Sequence, residues 1–120
     1  MAENIVYTLT KAANPQATAV TGKVVFDATV IVAADYVEID VGFKPSYVHW
    51  ENATDRIALD FYEGMADESA IKTAAAGART LEVTGGNKGV TLTTRGFRVA
   101  QSATLAAILA SKTCYFRAEA

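Results

Sequence analysis

Apolar and polar residues alternate through the middle of the chain. Apolar side chains occupy every second position from Val37 to Phe43, and polar or acidic residues fill most of the positions between them. A period of two is typical of a β-strand with one buried and one solvated face. Pro45 should end this strand, because proline has no amide hydrogen to donate to a neighbouring strand.

A β-hairpin is predicted immediately after this strand. Residues 47–51 and 57–62 form two more β-type segments on either side of Asn-Ala-Thr-Asp at positions 52–55. Asn and Asp favour turns because their side chains hydrogen-bond to nearby backbone groups. The four residues therefore predict the turn that joins two antiparallel strands.

Segments of similar composition recur along the whole chain, at residues 4–9, 23–32, 79–84, 90–94, 97–100 and 113–118. About eight short strands separated by turn residues predict an all-β fold, an antiparallel β-sandwich of jelly-roll-like form. The predicted core includes Val37, Ile39, Val41, Ile57, Leu59, Phe61, Leu81, Val83 and Phe97.

Three segments leave two interpretations open. Residues 67–76 are rich in alanine and fit either one helical turn or a loop over a sheet edge. Residues 102–111 fit a short helix capped by Ser102 or a loop and strand. Residues 1–22 form either an N-terminal arm that pairs outside its own domain, which would then span residues 23–120, or an ordinary first strand and loop.

Composition narrows the functional classes. Hydrophobic residues make up 51% of the 120-residue chain, but the uninterrupted apolar runs are far shorter than the ~20 residues of a membrane-spanning helix. No basic residue precedes Lys11, so we do not expect a secretory signal. We expect the protein to be synthesised in the cytoplasm. The net charge of −2 argues against a nucleic-acid-binding surface, which would carry a basic stripe.

The inventory of reactive side chains is small. The chain has one histidine and one cysteine, which are too few for a zinc site and for the usual nucleophile–base arrangements. His49, in a strand beside Trp50, is interpreted as a surface or partly packed residue, and Cys114 as a small core residue. We therefore expect no enzyme activity, no catalytic residue, no metal and no cofactor.

Aromatic residues among charged ones suggest contact surfaces instead. Large amphipathic rings are enriched where proteins meet, although each ring could equally cap the core. A lone β-forming run near the N-terminus could add to the sheet edge of a neighbour. The candidate partner-binding residues are Ile5, Val6, Tyr7, Thr8 and Leu9 in that run, and Tyr36, Tyr47, Trp50 and Tyr62 in the strands.

The central segment resembles small virion structural proteins of tailed bacteriophages. The similarity lies in Gly-Phe-Lys-Pro-Ser-Tyr-Val at 42–48, the hairpin, Tyr-Glu-Gly-Met at 62–65, Ala-Ala-Gly-Ala-Arg-Thr-Leu at 75–81 and Gly-Phe-Arg-Val at 96–99. Residues 1–30 and 101–120 match this pattern less well. The resemblance brings no catalytic position with it.

The resemblance implies a β-sandwich module on the virion, most simply a capsid decoration or cement protein on the capsid surface. Its partners would be the major capsid protein or another virion protein, and copies of itself in a dimer or trimer. The alternatives are a tail or fibre-base component of the virion, and a carbohydrate- or small-ligand-binding β-sandwich.

Overall fold

The computed structural model describes residues 7–11, 19–28, 35–82, 89–101, 108 and 111–120, and these form ten β-strands and no helix. The strands are β1 (Tyr7–Lys11), β2 (Ala19–Phe26), β3 (Tyr36–Asp40), β4 (Tyr47–Asn52), β5 (Ile57–Tyr62), β6 (Ala70–Thr73), β7 (Arg79–Glu82), β8 (Val90–Leu92), β9 (Gly96–Ala100) and β10 (Thr113–Glu119).

The strands form two antiparallel sheets that pack face to face. The larger sheet has seven strands in the order β1-β2-β10-β4-β5-β6-β7, so that β4 is its middle strand. The smaller sheet has three strands in the order β3-β9-β8. The predicted all-β fold and its β-sandwich architecture are confirmed.

An aromatic cluster joins the two sheets at the centre of the core. Trp50 on β4 stacks on Phe116 of β10, with ring centroids 6.2 Å apart, and both rings make T-shaped contacts with Phe97 on β9 of the smaller sheet. Trp50 and Phe97 are fully buried and Phe116 nearly so. Such edge-to-face and stacked contacts stabilise a core by about 0.5–1.5 kcal/mol per pair beyond the area that they bury.

Most of the predicted core is confirmed, but two of its members lie elsewhere. Val37, Ile39, Val41, Leu59, Phe61 and Phe97 are buried. Ile57 is only half-buried, and Leu81 is 60% exposed. Leu81 pairs with Ile71, and Ile71 pairs with Asp60, so the register places Leu81 on the solvated side of the sheet. Val83 lies outside the described residues.

Strand bounds differ from the prediction at two places. Residues 67–76 contain strand β6, where we expected a helical turn or a loop, because four residues are too few to show an alternating pattern. Strand β3 ends at Asp40 and not near Phe43. Gly42 adopts a φ of 88°, which turns the chain, and its amide donates to the Asp40 carboxylate at 2.8 Å.

The predicted hairpin is confirmed. Strands β4 and β5 pair from Tyr47 with Tyr62 to Asn52 with Ile57. The buried Asn52 amide donates to the Asp55 carboxylate at 2.9 Å and accepts the Asp55 backbone amide at 3.1 Å. Asn52 thus closes the turn with its side chain, as the sequence suggested.

The separate N-terminal arm is wrong for the part of it that the structure describes. All five residues of β1 pair with β2 of the same chain, from Tyr7 with Phe26 to Lys11 with Gly22. The expected boundary at residue 22 falls inside β2. Strand β1 is therefore the ordinary first strand of the alternative interpretation, and its backbone hydrogen bonds are made to β2. Of the segment 102–111, only Ile108, which is buried, and Ser111 are described.

Candidate interaction surface

The seven-stranded sheet has one face against the core and one face turned away from it. We call the face that is turned away from the core the outer face. Its residues alternate with buried ones along each strand. Within β2, β4, β5, β6, β7 and β10 it comprises Ala19, Thr21, Lys23, Val25, Tyr47, His49, Glu51, Ala58, Asp60, Tyr62, Ile71, Thr73, Arg79, Leu81, Thr113, Tyr115, Arg117 and Glu119.

Large apolar side chains are exposed on this face. Within the described residues, the exposed large hydrophobic side chains are Val25, Tyr62, Leu81 and Tyr115, with 40%, 50%, 60% and 46% of their area accessible. All four belong to the outer face. Scattered exposed apolar residues need no explanation, but their confinement to one face of one sheet marks a surface suited to contact.

A hydrogen-bonded network crosses the hairpin at the centre of the outer face. The Asp60 carboxylate accepts the Tyr47 hydroxyl at 2.6 Å and lies 2.7 Å from His49 Nδ1. His49 Nε2 lies 3.2 Å from the Glu51 carboxylate. The Arg79 guanidinium approaches the second Asp60 oxygen at 3.9 Å. The hairpin register creates this network, since it places residue 49 directly opposite residue 60.

The two carboxylates favour the charged form of His49. Partial burial acts to lower the pKa of the imidazole, but hydrogen bonds to Asp60 and Glu51 and their negative charges outweigh it and raise the pKa above 6.5. When both ring nitrogens carry protons, each donates to a carboxylate. The imidazolium then links the carboxylate of Asp60 on β5 to that of Glu51 on β4. Neither ring nitrogen keeps a lone pair with which it could act as a general base.

Burial and the bond to Asp60 also hold Tyr47 in its neutral form. They raise the pKa of its phenol well above the usual value of 10. Its ring lies beside that of Tyr62, with centroids 5.1 Å apart and planes inclined by 43°. The inclination means that the two rings do not make the flat platform on which a sugar ring would stack.

The outer surface of the three-stranded sheet is different in chemistry. Arg98 donates to Glu38 at 2.8 Å and lies 4.5 Å above the ring of Tyr36, and Arg95 donates to Asp40 at 3.2 Å. Two open clefts of about 220 and 320 Å³ run beside these residues. Opposite charges therefore neutralise each other within this surface.

The candidate partner-binding residues divide among several places. Tyr47 and Tyr62 meet on the outer face, and Tyr36 lies on the opposite side of the sandwich. Trp50 as a contact residue is wrong, because it points to the core and is fully buried. Tyr7, Thr8 and Leu9 belong to edge strand β1, with Thr8 exposed, and Ile5 and Val6 lie outside the described residues.

Sequence reasoning missed several members of the outer face. Tyr115 alternates with the buried residues Cys114 and Phe116, so the period of two in the last strand could have placed it on the solvated side. The position of Leu81 depends on the pairing of β6 with β7, which a local sequence pattern does not give.

Burial raises the pKa of the Cys114 thiol to about 12, and the expectation of a small core cysteine is confirmed.

In the described part of the chain, no three or more His, Cys, Asp or Glu side chains are grouped so as to hold a metal ion. The same residues include no helix of the length and apolarity needed to span a membrane. The chain matches no protein-family model, no curated protein and no solved structure. The chemistry of its surfaces therefore carries the functional argument.

Proposed function

We propose that this chain is a non-enzymatic structural protein of a tailed-bacteriophage virion, a decoration or cement protein that assembles with copies of itself and stabilises the capsid shell. The observation that carries the proposal is the outer face, where exposed apolar side chains surround a network of hydrogen-bonded charges. Such a mixture of rings and charges suits a protein contact.

The sequence pattern supports the same role. The resemblance to virion proteins covers the hairpin that builds the centre of the outer face and the Gly-Phe-Arg-Val strand at 96–99. A small module present in many copies needs only modest affinity for each site, because linked contacts raise the effective concentration of the next one. A compact sandwich with an exposed contact face is sufficient for that task.

Electron microscopy of virions tests the proposal. Particles are purified from a lysate of the host that carries this gene and are labelled with antibody against the chain. Regular label over the head is the expected result. Label confined to the tail would replace the decoration role by that of a tail or fibre-base component. Particles without label, from a lysate that contains the folded protein, would overturn the proposal.

Removal of the gene gives a second readout. Decoration proteins stabilise shells, so particles that lack the chain should release their DNA at a lower temperature than complete particles. Adding back the purified protein should restore the original temperature. An unchanged temperature for head-labelled particles would remove the stabilising role.

A further inference from the structure

Opposite charges lie on the two sides of the middle strand of the outer face. In the register, His49 of β4 pairs with Asp60 of β5 on one side and with Arg117 of β10 on the other. Neighbouring strands lie about 4.8 Å apart, so the two charges flank β4 at about that distance. At this level the face carries a carboxylate on one side of its middle strand and a guanidinium on the other. Each also has partners within its own subunit: Asp60 binds Tyr47 and His49 and lies 3.9 Å from Arg79, and Arg117 donates to Glu119 at 3.1 Å.

The positions of Asp60 and Arg117 are complementary across a two-fold axis, whereas residues on the axis itself, such as Glu51, meet their own mates. A two-fold axis in the plane of the interface and along β4 exchanges the two sides of the face. Asp60 of one copy then lies opposite Arg117 of the other, and the contact occurs twice. Isologous dimers require this property, since the same patch must serve both subunits.

The same axis also matches side chains by size. It places the half-exposed ring of Tyr115 on β10 opposite the small side chain of Ala58 on β5, because both pair with Glu51 of β4. Two face-to-face sheets lie about 10 Å apart, which leaves room for one layer of interdigitating side chains from each. Large opposite small is the pattern that such a layer needs.

Area and net charge favour a second copy over a partner of strong opposite charge. The seven strands, at about 4.8 Å spacing and 3.3 Å per residue, give a flat face of roughly 600 Å², near the ~800 Å² that each partner buries in a standard interface. The strand residues of this face are nearly balanced in charge: Lys23, Arg79, Arg117 and the imidazolium of His49 are positive, and Glu51, Asp60 and Glu119 are negative.

We propose that two copies of this chain dimerise through the outer faces of their seven-stranded sheets, about a two-fold axis that runs along β4. The inference rests on the self-assembly contained in the proposed function and names its surface. It leaves the three-stranded sheet and the sheet edges free for the capsid shell. Its failure is distinguishable from failure of the virion role, because it is measured on the isolated protein.

Sedimentation equilibrium of the full chain tests the dimer. The wild type should have twice the mass of one chain. Tyr115→Asp should weaken the dimer at least tenfold, since it places an unpaired carboxylate in the contact, and circular dichroism should show an unchanged β spectrum. The matched control is Thr94→Asp, which adds the same charge at the exposed turn of the other sheet and should leave the dimer intact. A monomeric or trimeric wild type, or a Tyr115→Asp dimer of unchanged affinity, would overturn the proposal.

Cross-linking tests the axis. Residue 51 lies on β4 and therefore close to its own mate in the second copy, so Glu51→Cys should be joined into covalent dimers by a bis-maleimide with a spacer of about 10 Å. Cys114 is buried and should not react. Thr94→Cys, on the other sheet, should stay monomeric under the same treatment. A dimer that Glu51→Cys cannot cross-link, or that Thr94→Cys can, would show a different interface.

Discussion

The two outward-facing surfaces of the sandwich follow the same alternation of residues but expose different chemistry. On the three-stranded sheet, Arg98 is paired with Glu38 and lies over Tyr36, so that charge and ring are satisfied within one surface. On the seven-stranded sheet, Tyr115 and Leu81 remain exposed beside a network of charges. Sheets that are solvated on one side usually place polar residues there. The second surface departs from that rule, because large apolar side chains remain exposed on it.

The largest effect separates the two faces of the seven-stranded sheet itself. Leu59 is fully buried on β5, and Leu59→Ala should lower the free energy of unfolding by about 2–5 kcal/mol, through lost burial and the cavity that remains. Leu81→Ala removes the same atoms from an exposed position and should change the free energy by less than about 0.5 kcal/mol. Urea denaturation of monomeric protein at low concentration measures both.

Equal losses for the two variants would break the comparison. They would mean that Leu81 is buried, and that the outer face is part of a core. A loss confined to Leu59→Ala would show that the exposed apolar residues contribute little to the fold, which is the expectation for residues that serve a contact.

Local alternation predicted the elements of this fold well, and pairing between distant strands not at all. The hairpin could be placed from its turn residues, and a four-residue loop from 53 to 56 would also have set residue 49 opposite residue 60. The neighbours of β10 could not be placed, because its pairing with β2 and β4 joins residues far apart in the sequence. Alternation also does not tell which side of a strand meets the second sheet. For that reason Leu81 and Trp50 were assigned to the wrong sides of their strands.

A smaller effect compares one tyrosine from each outward surface. Tyr47→Phe removes the hydroxyl that donates to Asp60 at 2.6 Å and should lower the free energy of unfolding by about 1 kcal/mol. Tyr36→Phe keeps the ring under Arg98 and should change it by less than about 0.5 kcal/mol. Thermal unfolding of both variants measures the difference. If Tyr36→Phe lowers the free energy of unfolding as much as Tyr47→Phe does, the hydrogen bond from Tyr47 to Asp60 gives the outer face no stability that the opposite surface lacks.

The smallest effect is the pH dependence that His49 gives to the outer face. Partial burial lowers its pKa in the folded chain, but the hydrogen bonds to Asp60 and Glu51 and their negative charges outweigh burial and raise the pKa above the unfolded value of about 6.5. A raised pKa means that the folded state binds the proton more tightly than the unfolded state does. The stabilisation from the imidazolium is therefore fully present below about pH 6.5 and is lost as the pH rises through the folded pKa.

The measurement compares the unfolding free energy of the wild type with that of His49→Gln across this pH range. The difference between them should shrink as the pH rises, and proton-detected titration of the single imidazole should give a pKa above 6.5. Asp60→Asn supplies the control, because it removes one of the two carboxylates, keeps the shape of the side chain and should lower the pKa of His49. An imidazole that titrates at or below 6.5 in the wild type would show that the carboxylates do not hold it charged. The outer face would then carry a neutral imidazole at its centre, and not an imidazolium that is hydrogen-bonded to two carboxylates.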